Sequence, residues 1–311
     1  MSPLVSIVCL AYNHEKYIRQ CLDGFVMQET NFPFEIIVHE DASTDSTASI
    51  IREYEANYPN LFHPIYQTEN QYSKKDGSVT RFALGAVRGK YIAMCEGDDY
   101  WTDPQKLQKQ FDAMELDTSL SFCSHNFRRI YEHRPSEVEI NILNEFHYLT
   151  NRKSTSIENG FIVDLPTYCK HFDGMHTATL LFRTSTIIPF PSWANGLPSG
   201  DYTMKIVSLL HGDAIFLTDN MSVCRKNAGG VTQQARTPIK IFEVQKMQYR
   251  TWITAVRSNR RAAKNLYSRL LKLQLLFIFQ RNHFKKSASF SRRLMELLNM
   301  IKNFADKNLT R

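Results

Sequence analysis

The fold is decided by residues 91–99, which read YIAMCEGDD. Five hydrophobic residues in succession are typical of a β-strand that is buried on both faces. Three carboxylates, Glu96, Asp98 and Asp99, follow directly after that strand. Neighbouring carboxylates repel one another, and the repulsion is costly unless a cation joins them. The stretch therefore indicates a buried strand that ends in a divalent-cation site, although an exposed acidic turn would use the same residue types.

The sequence on either side alternates strand and helix patterns. Strands are expected at 5–10, 35–39, 61–67 and 91–95, and helices at 13–28, 45–58 and 79–87, with Asn13 as the cap of the first helix. Helices between buried strands predict a parallel sheet with right-handed crossovers, which is an α/β fold. Beyond residue 100 we expect helices at 102–115 and 201–210, strands at 121–131 and 177–182, an irregular insertion at 133–173, and helix from residue 239 onward.

The composition is that of a chain with a large core, since 43% of its 311 residues are hydrophobic and 12% are aromatic. None of the six cysteines forms a Cys-x-x-Cys pair, so we expect reduced core thiols rather than a zinc site or a disulfide framework. The N-terminal residues lack the basic lead of a signal peptide, and the apolar stretch 270–279 is too short to cross a bilayer. A cytoplasmic location is expected.

The charge is distributed unevenly. Residues 240–311 hold 17 Lys and Arg against three Asp and Glu, a net charge of +14, whereas the first 239 residues carry −7. Apolar residues recur at helical spacing in this basic region: Leu266, Leu270, Leu273 and Phe277, and then Phe290, Leu294, Leu298 and Ile301. Two interpretations stay open, namely helices that pack on the body or on each other, and attachment to an anionic membrane surface. Nucleic-acid binding is disfavoured, because no stacking aromatic residues or known motif accompany the charge.

Two more acidic clusters lie where the ligands of α/β proteins bind, beyond strand ends or at a helix start. Asp41 follows the second strand, and Asp201 opens the helix expected at 201–210. In order, the motifs VSIV at 5–8, AYN at 11–13, EDASTD at 40–45, EGDD at 96–99, GDY at 200–202 and RKNAGG at 225–230 resemble those of family 2 glycosyltransferases, which have the GT-A fold. The resemblance covers about residues 3–235. Each motif is weak alone, but the ordered set is specific.

This resemblance implies a role for each matching residue. Ala11 and Tyr12 line the nucleotide pocket, Asp41 bonds the base (usually uracil), Asp98 contacts the ribose, Asp99 holds Mg²⁺ or Mn²⁺ on the diphosphate, and Asp201 is the base of an inverting transfer. Arg225 lies in the last motif and is expected to bind the donor, and Arg81 is a further candidate for its phosphates. Two residues depart from the family pattern. Ala42 stands where glycine is frequent, a mild change if its φ is negative, and Asn227 stands where histidine is common, so its oxygen is the candidate for the metal.

Four aromatic or imidazole side chains near these motifs have either a structural or a functional interpretation. His39 and His125 fall within strand patterns and are expected to be structural. His176 faces either the acceptor or a loop. Trp101, beside the acidic cluster, is expected to stack on a sugar.

The sequence thus predicts a GT-A catalytic domain at 1–238, with a mostly parallel Rossmann-like sheet, and a basic helical region at 239–311. The expected activity is inverting, metal-dependent transfer of a hexosyl or N-acetylhexosaminyl group from a UDP-sugar to a hydroxyl. The expected acceptor is a glycan or a polyprenyl-diphosphate-linked molecule of lipopolysaccharide O-antigen, capsule or exopolysaccharide synthesis. The alternatives are a nucleotidyltransferase on a similar fold and a non-catalytic nucleotide-sugar-binding protein.

Overall fold

The computed structural model of the chain describes residues 2–132, 138–139, 154–171, 175–197, 200–227 and 238–283. Its strands are β1 Val5–Ala11, β2 Phe34–Glu40, β3 Ile65–Tyr66, β4 Tyr91–Glu96, β5 Tyr100–Trp101, β6 Leu120–Tyr131, β7 Val138–Glu139, β8 Gly160–Val163, β9 Leu181–Arg183 and β10 Asp213–Lys226. Its α-helices are α1 Ile18–Val26, α2 Thr47–Asn57, α3 Ser78–Gly85, α4 Lys106–Leu116, α5 Leu165–His171, α6 Gly200–Leu209, α7 Pro238–Ala255 and α8 Arg260–His283.

These strands form one mixed sheet in the order β3-β2-β1-β4-β9-β6-β10-β5, with β7 on β6 and β8 on β10. The pairs β1–β2, β1–β4, β2–β3 and β6–β10 are parallel, whereas β9 runs antiparallel to both β4 and β6. The predicted α/β class with a mostly parallel central sheet is confirmed. The antiparallel β9 joins two parallel groups of strands, and this joint brings residues near 176 beside the end of β4.

Both faces of the sheet are covered. Side chains of a strand alternate between its faces, and in β1 Val8 packs into one hydrophobic cluster while Ile7 and Cys9 pack into the other. Helices α1, α2 and α4 cover the second cluster, and α5, α6, α7 and α8 cover the first. All six cysteines are free and buried, as expected.

Several boundaries predicted from the sequence are wrong. Helix α1 begins at Ile18 rather than at 13, because Asn13 has a φ of +55° and leaves the helical region. The strand expected at 61–67 shrinks to Ile65–Tyr66, and that expected at 177–182 opens as a 3₁₀ turn, Thr177–Thr179. The insertion at 133–173 is not wholly irregular, since it contains β8 and α5. The long strand β10 was not predicted.

Helices α7 and α8 pack on the body of the protein. Trp252, Val256, Ala262 and Leu266 belong to the same buried cluster as residues of α5 and α6. The Trp252 indole donates to Thr203 Oγ1 at 3.3 Å, and the Asn265 amide donates to the Pro166 carbonyl at 2.8 Å. The packing interpretation therefore holds for residues 242–270, while the second apolar set, from Phe290 to Ile301, lies outside the described residues. Among the described helices, none is long and apolar enough to cross a membrane.

Candidate active site

The candidate site lies at the carboxyl ends of β1, β2 and β4. Because these strands are parallel neighbours, their following loops meet at one edge of the sheet. The loop after β1 is braced against the loop after β2: Asn13 Oδ1 accepts from the Thr44 amide at 2.8 Å, and Thr47 Oγ1 accepts from the His14 amide at 2.7 Å. Asn13 is thus a loop brace rather than the predicted helix cap. The bracing fixes the backbone on which the predicted nucleotide-binding residues stand.

Asp41 and the two residues after β1 form one wall of this edge. Ala11 is 2% exposed and its carbonyl accepts from the Asp41 amide at 3.0 Å, whereas Tyr12 is 42% exposed and leaves its ring accessible. The buried Asp41 carboxylate accepts from the backbone amides of Gln71 at 2.7 Å and Tyr72 at 3.0 Å. Asp41 therefore anchors the 70–75 loop to the sheet, and its contact with a base stays a prediction.

Ala42 adopts a conformation that the sequence alone did not reveal. Its φ is +58°, in the left-handed region where a Cβ atom is strained. The expectation that alanine is a mild change depended on a negative φ, so that expectation is wrong. This chain holds an alanine where the backbone requires a glycine-like geometry, beside the buried Asp41.

The acidic cluster at the end of β4 comprises Glu96, Asp98 and Asp99, with one oxygen of each carboxylate within 4.8 Å of the others. Burial, together with the charge of Asp98, raises the pKa of Glu96 to about 8. The same two causes, followed by the charge of Glu96, raise the pKa of Asp99 well above its usual range. Gly97 allows the turn, because a Cβ there would lie 2.7 Å from His14 Nδ1. The surroundings thus disfavour full ionisation of the three carboxyl groups, as in sites where a cation compensates their charge.

Arg225 and Asn227, at the end of β10, close the cluster from the opposite side. The Arg225 amide donates to Asp99 Oδ1 at 2.8 Å, and its guanidinium donates to the Asp98 carbonyl at 2.7 Å while lying 4.4 Å from the Tyr100 ring centroid. The Asn227 amide nitrogen donates to Asp98 Oδ2 at 2.8 Å. The structure thus brings Arg225 and Asn227 to the acidic cluster. The Asn227 side chain contacts Asp98 through its nitrogen rather than through the oxygen predicted to bind a metal.

His176 lies behind the cluster rather than in a loop facing solvent. Its Nδ1 is 3.4 Å from Asp99 Oδ2, and its Nε2 is 3.2 Å from Cys224 Sγ. Burial lowers the pKa of His176 to about 3, so the ring is neutral. The Ala178 amide donates to the same Nδ1 at 3.4 Å, so this nitrogen is an acceptor and the ring proton lies on Nε2, towards Cys224. Asp99 is only 2% exposed between His176 and Arg225, whereas Asp98 is partly exposed.

Asp201 stands in the first turn of α6, and its side chain is 26% exposed. Its Oδ2 accepts from Lys205 Nζ at 3.1 Å, a residue that the sequence did not single out. Asp201 is near enough to Glu96 for its charge to add to the raised pKa of Glu96. The fold thus brings Asp201 near the acidic cluster at the end of β4.

The remaining predicted residues are Arg81, Trp101, His39 and His125, and their outcomes differ. Arg81, half-exposed on α3, donates to the Asp76 carbonyl at 2.6 Å and to Ser78 Oγ at 3.0 Å, and a contact with donor phosphates stays a prediction. Trp101 does not face a cleft: it is 2% exposed, packs 4.7 Å from the Phe25 ring centroid, and donates to the Ala178 carbonyl at 2.9 Å. Its predicted stacking on a sugar is wrong. His39 and His125, at 1% and 0% exposure, are buried as expected.

Comparison with solved structures identifies the class of fold. TarS from S. aureus, residues 1–349 in complex with UDP-GlcNAc, aligns with a TM-score of 0.63 at 19% identity, covering 94% of this chain and 79% of that one. The mannosyltransferase PcManGT from Pyrobaculum calidifontis, in complex with GDP-Man and Mn²⁺, aligns with a TM-score of 0.57 at 16% identity, covering 98% and 81%. At such identities the likeness concerns the fold alone, and the fold is GT-A.

Sequence comparison identifies the family. The profile of Glycosyl transferase family 2 matches residues 6–184, more than half of the chain, and the chain belongs to this family. An uncharacterized protein of Mycobacterium tuberculosis is 36% identical over 245 residues, covering 76% of this chain but only 63% of that relative. Chondroitin synthase of Escherichia coli is 34% identical over 127 residues, covering 41% of this chain and 17% of that protein.

Proposed function

We propose that this protein is an inverting, metal-dependent glycosyltransferase. It transfers a hexosyl or N-acetylhexosaminyl group from a UDP-sugar to a hydroxyl of a glycan or lipid-linked acceptor, in the synthesis of a bacterial surface polysaccharide. The observation that carries the proposal is the meeting of a charge-rich carboxylate cluster with a separate, partly exposed carboxylate, Asp201, near one edge of the sheet. The carboxylate cluster, with a divalent cation, suits the diphosphate of a donor. Asp201 suits the hydroxyl of an acceptor.

The chemistry follows from these two groups. The acceptor oxygen attacks the anomeric carbon of the donor, and its bond to that carbon forms as the bond from carbon to the phosphate oxygen breaks. Asp201 accepts the hydroxyl proton as a general base. The nucleoside diphosphate leaves with the bonding electron pair. A single displacement needs no protein nucleophile, which agrees with the burial of every cysteine.

The acidic cluster fits a hard divalent cation, Mg²⁺ or Mn²⁺. Such ions take one or two carboxylates together with phosphate oxygens and water, and burial already disfavours the unbalanced charge of Glu96 and Asp99. We propose Asp98, which is partly exposed and bonded through one oxygen to Asn227, as the first ligand, with Glu96 beside it. The contact of Asp98 with the ribose, expected from the family resemblance, stays a prediction. The predicted metal role of Asp99 remains a proposal. One of its oxygens already accepts from the Arg225 amide, and the other lies 3.4 Å from His176 Nδ1. A bound cation supplies stabilisation of the charge that develops on the leaving diphosphate.

The donor is proposed from the nucleotide wall and from the solved relatives. Tyr12 offers an accessible ring next to the anchored Asp41, and TarS is solved with UDP and with UDP-GlcNAc. PcManGT is solved with GDP-Man and Mn²⁺, so a guanosine donor belongs among the ligands to be tested. Residues 1–238 are proposed as the catalytic domain.

We further propose that the basic region 239–311 holds the enzyme at the cytoplasmic face of an anionic membrane. Residues 247–283 contain no Asp or Glu. Among the side chains of this range that the structure describes, the exposed basic ones are Arg250, Arg257, Arg260, Arg261, Lys264 and Lys272. Because apolar residues of α7 and α8, namely Trp252, Val256, Ala262 and Leu266, already pack on the body, the proposed attachment is electrostatic, at about 1 kcal/mol for each basic residue near the lipid.

A panel of nucleotide-sugars, each assayed for binding and turnover with and without Mn²⁺, tests the proposed activity. Transfer of a sugar with release of a nucleoside diphosphate is expected. Release of pyrophosphate from a nucleoside triphosphate would show a nucleotidyltransferase instead. Asp201→Asn should keep donor binding and lower turnover by at least about 100-fold. A variant with near-normal turnover would move the base role to another residue.

A further inference from the structure

Lys205 is a buried cation placed against the proposed base. Its side chain is 1% exposed, and its Nζ donates to Asp201 Oδ2 at 3.1 Å and to the Met175 carbonyl at 2.6 Å. The ammonium also lies 4.4 Å from the Tyr202 ring centroid. A buried ammonium is costly unless a carboxylate and hydrogen bonds compensate it. Within the described residues, Asp201 is the carboxylate that forms an ion pair with it.

This pairing leaves the two Asp201 oxygens unequal. Oδ2 is held by Lys205, one helical turn away, whereas the described part of the chain gives Oδ1 no partner. The carboxylate is 26% exposed, so its other oxygen is the one that a substrate hydroxyl can reach. A base held through one oxygen has fewer orientations to lose when the acceptor binds.

The second contact of Lys205 connects the base with the donor side of the site. The Met175 carbonyl that it binds immediately precedes His176, and His176 Nδ1 is 3.4 Å from Asp99 Oδ2. The Asp99 carboxylate in turn accepts from the Arg225 amide at 2.8 Å. Lys205 therefore holds Asp201 at a set position relative to the segment behind the acidic cluster.

We propose that Lys205 is a positioning residue of the transfer reaction: it fixes the orientation of Asp201 and ties it to the 175–176 segment beside the acidic cluster. This inference rests on the proposed role of Asp201 as base. Because the carboxylate that Lys205 pairs with is the proposed base, its effect is on the rate of the chemical step rather than on donor binding.

The test is a double-mutant cycle with Lys205→Met, Asp201→Asn and the double variant, in the full chain. Lys205→Met is expected to lower kcat about 10- to 100-fold, as misplacement of a catalytic group does, with the KM for the donor and the affinity for UDP unchanged. Once Asp201 is replaced, the lysine has no base to hold, so the double variant should be within about twofold of Asp201→Asn.

Lys106→Met is the matched control, because Lys106 is also fully buried but is bonded to Gln110 and not to a carboxylate. Its effect on kcat, whatever its size, should multiply with that of Asp201→Asn. Lys205→Gln is the second variant if Lys205→Met fails to fold, since its amide still has a donor for the Met175 carbonyl.

The outcomes separate the two proposals. Near-normal turnover of Asp201→Asn would overturn the base assignment and, with it, this inference. A second outcome is that Asp201→Asn is slow and that Lys205→Met lowers kcat as much in this variant as in the unmodified protein. That outcome would overturn the positioning role and leave the proposed activity standing. An increase in donor KM with unchanged kcat would likewise refute it.

Discussion

The strained backbone of Ala42 gives a prediction whose magnitude can be worked out. A residue with a Cβ pays about 1–2 kcal/mol in the left-handed region, and Ala42 has a φ of +58°. Replacement by glycine removes that strain but adds about 0.4–1 kcal/mol of unfolded-chain entropy. The difference between the middles of these two ranges predicts that Ala42→Gly stabilises the protein by about 0.8 kcal/mol, which raises Tm by about 1 °C.

Urea denaturation of the metal-free chain measures the change in the free energy of unfolding. Ala48→Gly is the matched control: Ala48 is also half-buried, but it lies in helix α2, where glycine costs up to about 1 kcal/mol. The two variants should change stability in opposite directions. UDP affinity should stay unchanged in Ala42→Gly, because the Asp41 anchor to Gln71 and Tyr72 does not involve the Ala42 side chain. Equal destabilisation by both substitutions would refute the argument from strain.

Three further predictions concern the cluster, a buried lysine and the basic surface. Asp98→Asn should weaken Mn²⁺-dependent UDP binding by at least about 100-fold, because Asp98 is the proposed metal ligand. Asp99→Asn should weaken it by about tenfold, as expected for a residue beside the metal ligand. Calorimetry that gives the reverse order would make Asp99 the principal ligand. Burial lowers the pKa of Lys106 to about 7, so from about pH 7 to pH 10 the unfolded chain binds more protons and the free energy of unfolding rises with pH. Denaturation at pH 7 and at pH 10 measures this rise in the free energy of unfolding, and Lys106→Met should reduce it. An unchanged rise in the variant would contradict the lowered pKa of Lys106. Neutralising Arg257, Arg260 and Arg261 should abolish salt-sensitive co-sedimentation of the protein with anionic liposomes, while turnover on a water-soluble acceptor persists. Neutral liposomes are the control. Unchanged co-sedimentation would exclude these three arginines as the membrane-binding surface.

Local pattern was sufficient for much of the architecture. The apolar runs in β1, β2 and β4 predicted buried parallel strands, because a strand covered on both faces needs apolar side chains at nearly every position. The positions of Asp41 and of the cluster after β4 followed from the same strands, since loops at the carboxyl ends of parallel strands share one edge. The bounds of short or bent elements were not predicted. Strand β3 is limited to Ile65–Tyr66, and the later start of α1 follows from the positive φ of Asn13.

The sequence by itself determined the α/β class, the family and the set of acidic residues, because these depend on residue type and on spacing along the chain. Tertiary structure decided which residues each of them contacts and how deeply each is buried. Asp99 is enclosed because Arg225, 126 residues away, folds against it, and Trp101 is withdrawn into the core by Phe25 and Ala178. The bond from Lys205 to Met175 likewise joins residues 30 positions apart. Burial and pairing arise from contacts between distant segments, and periodicity within a segment carries no information about them.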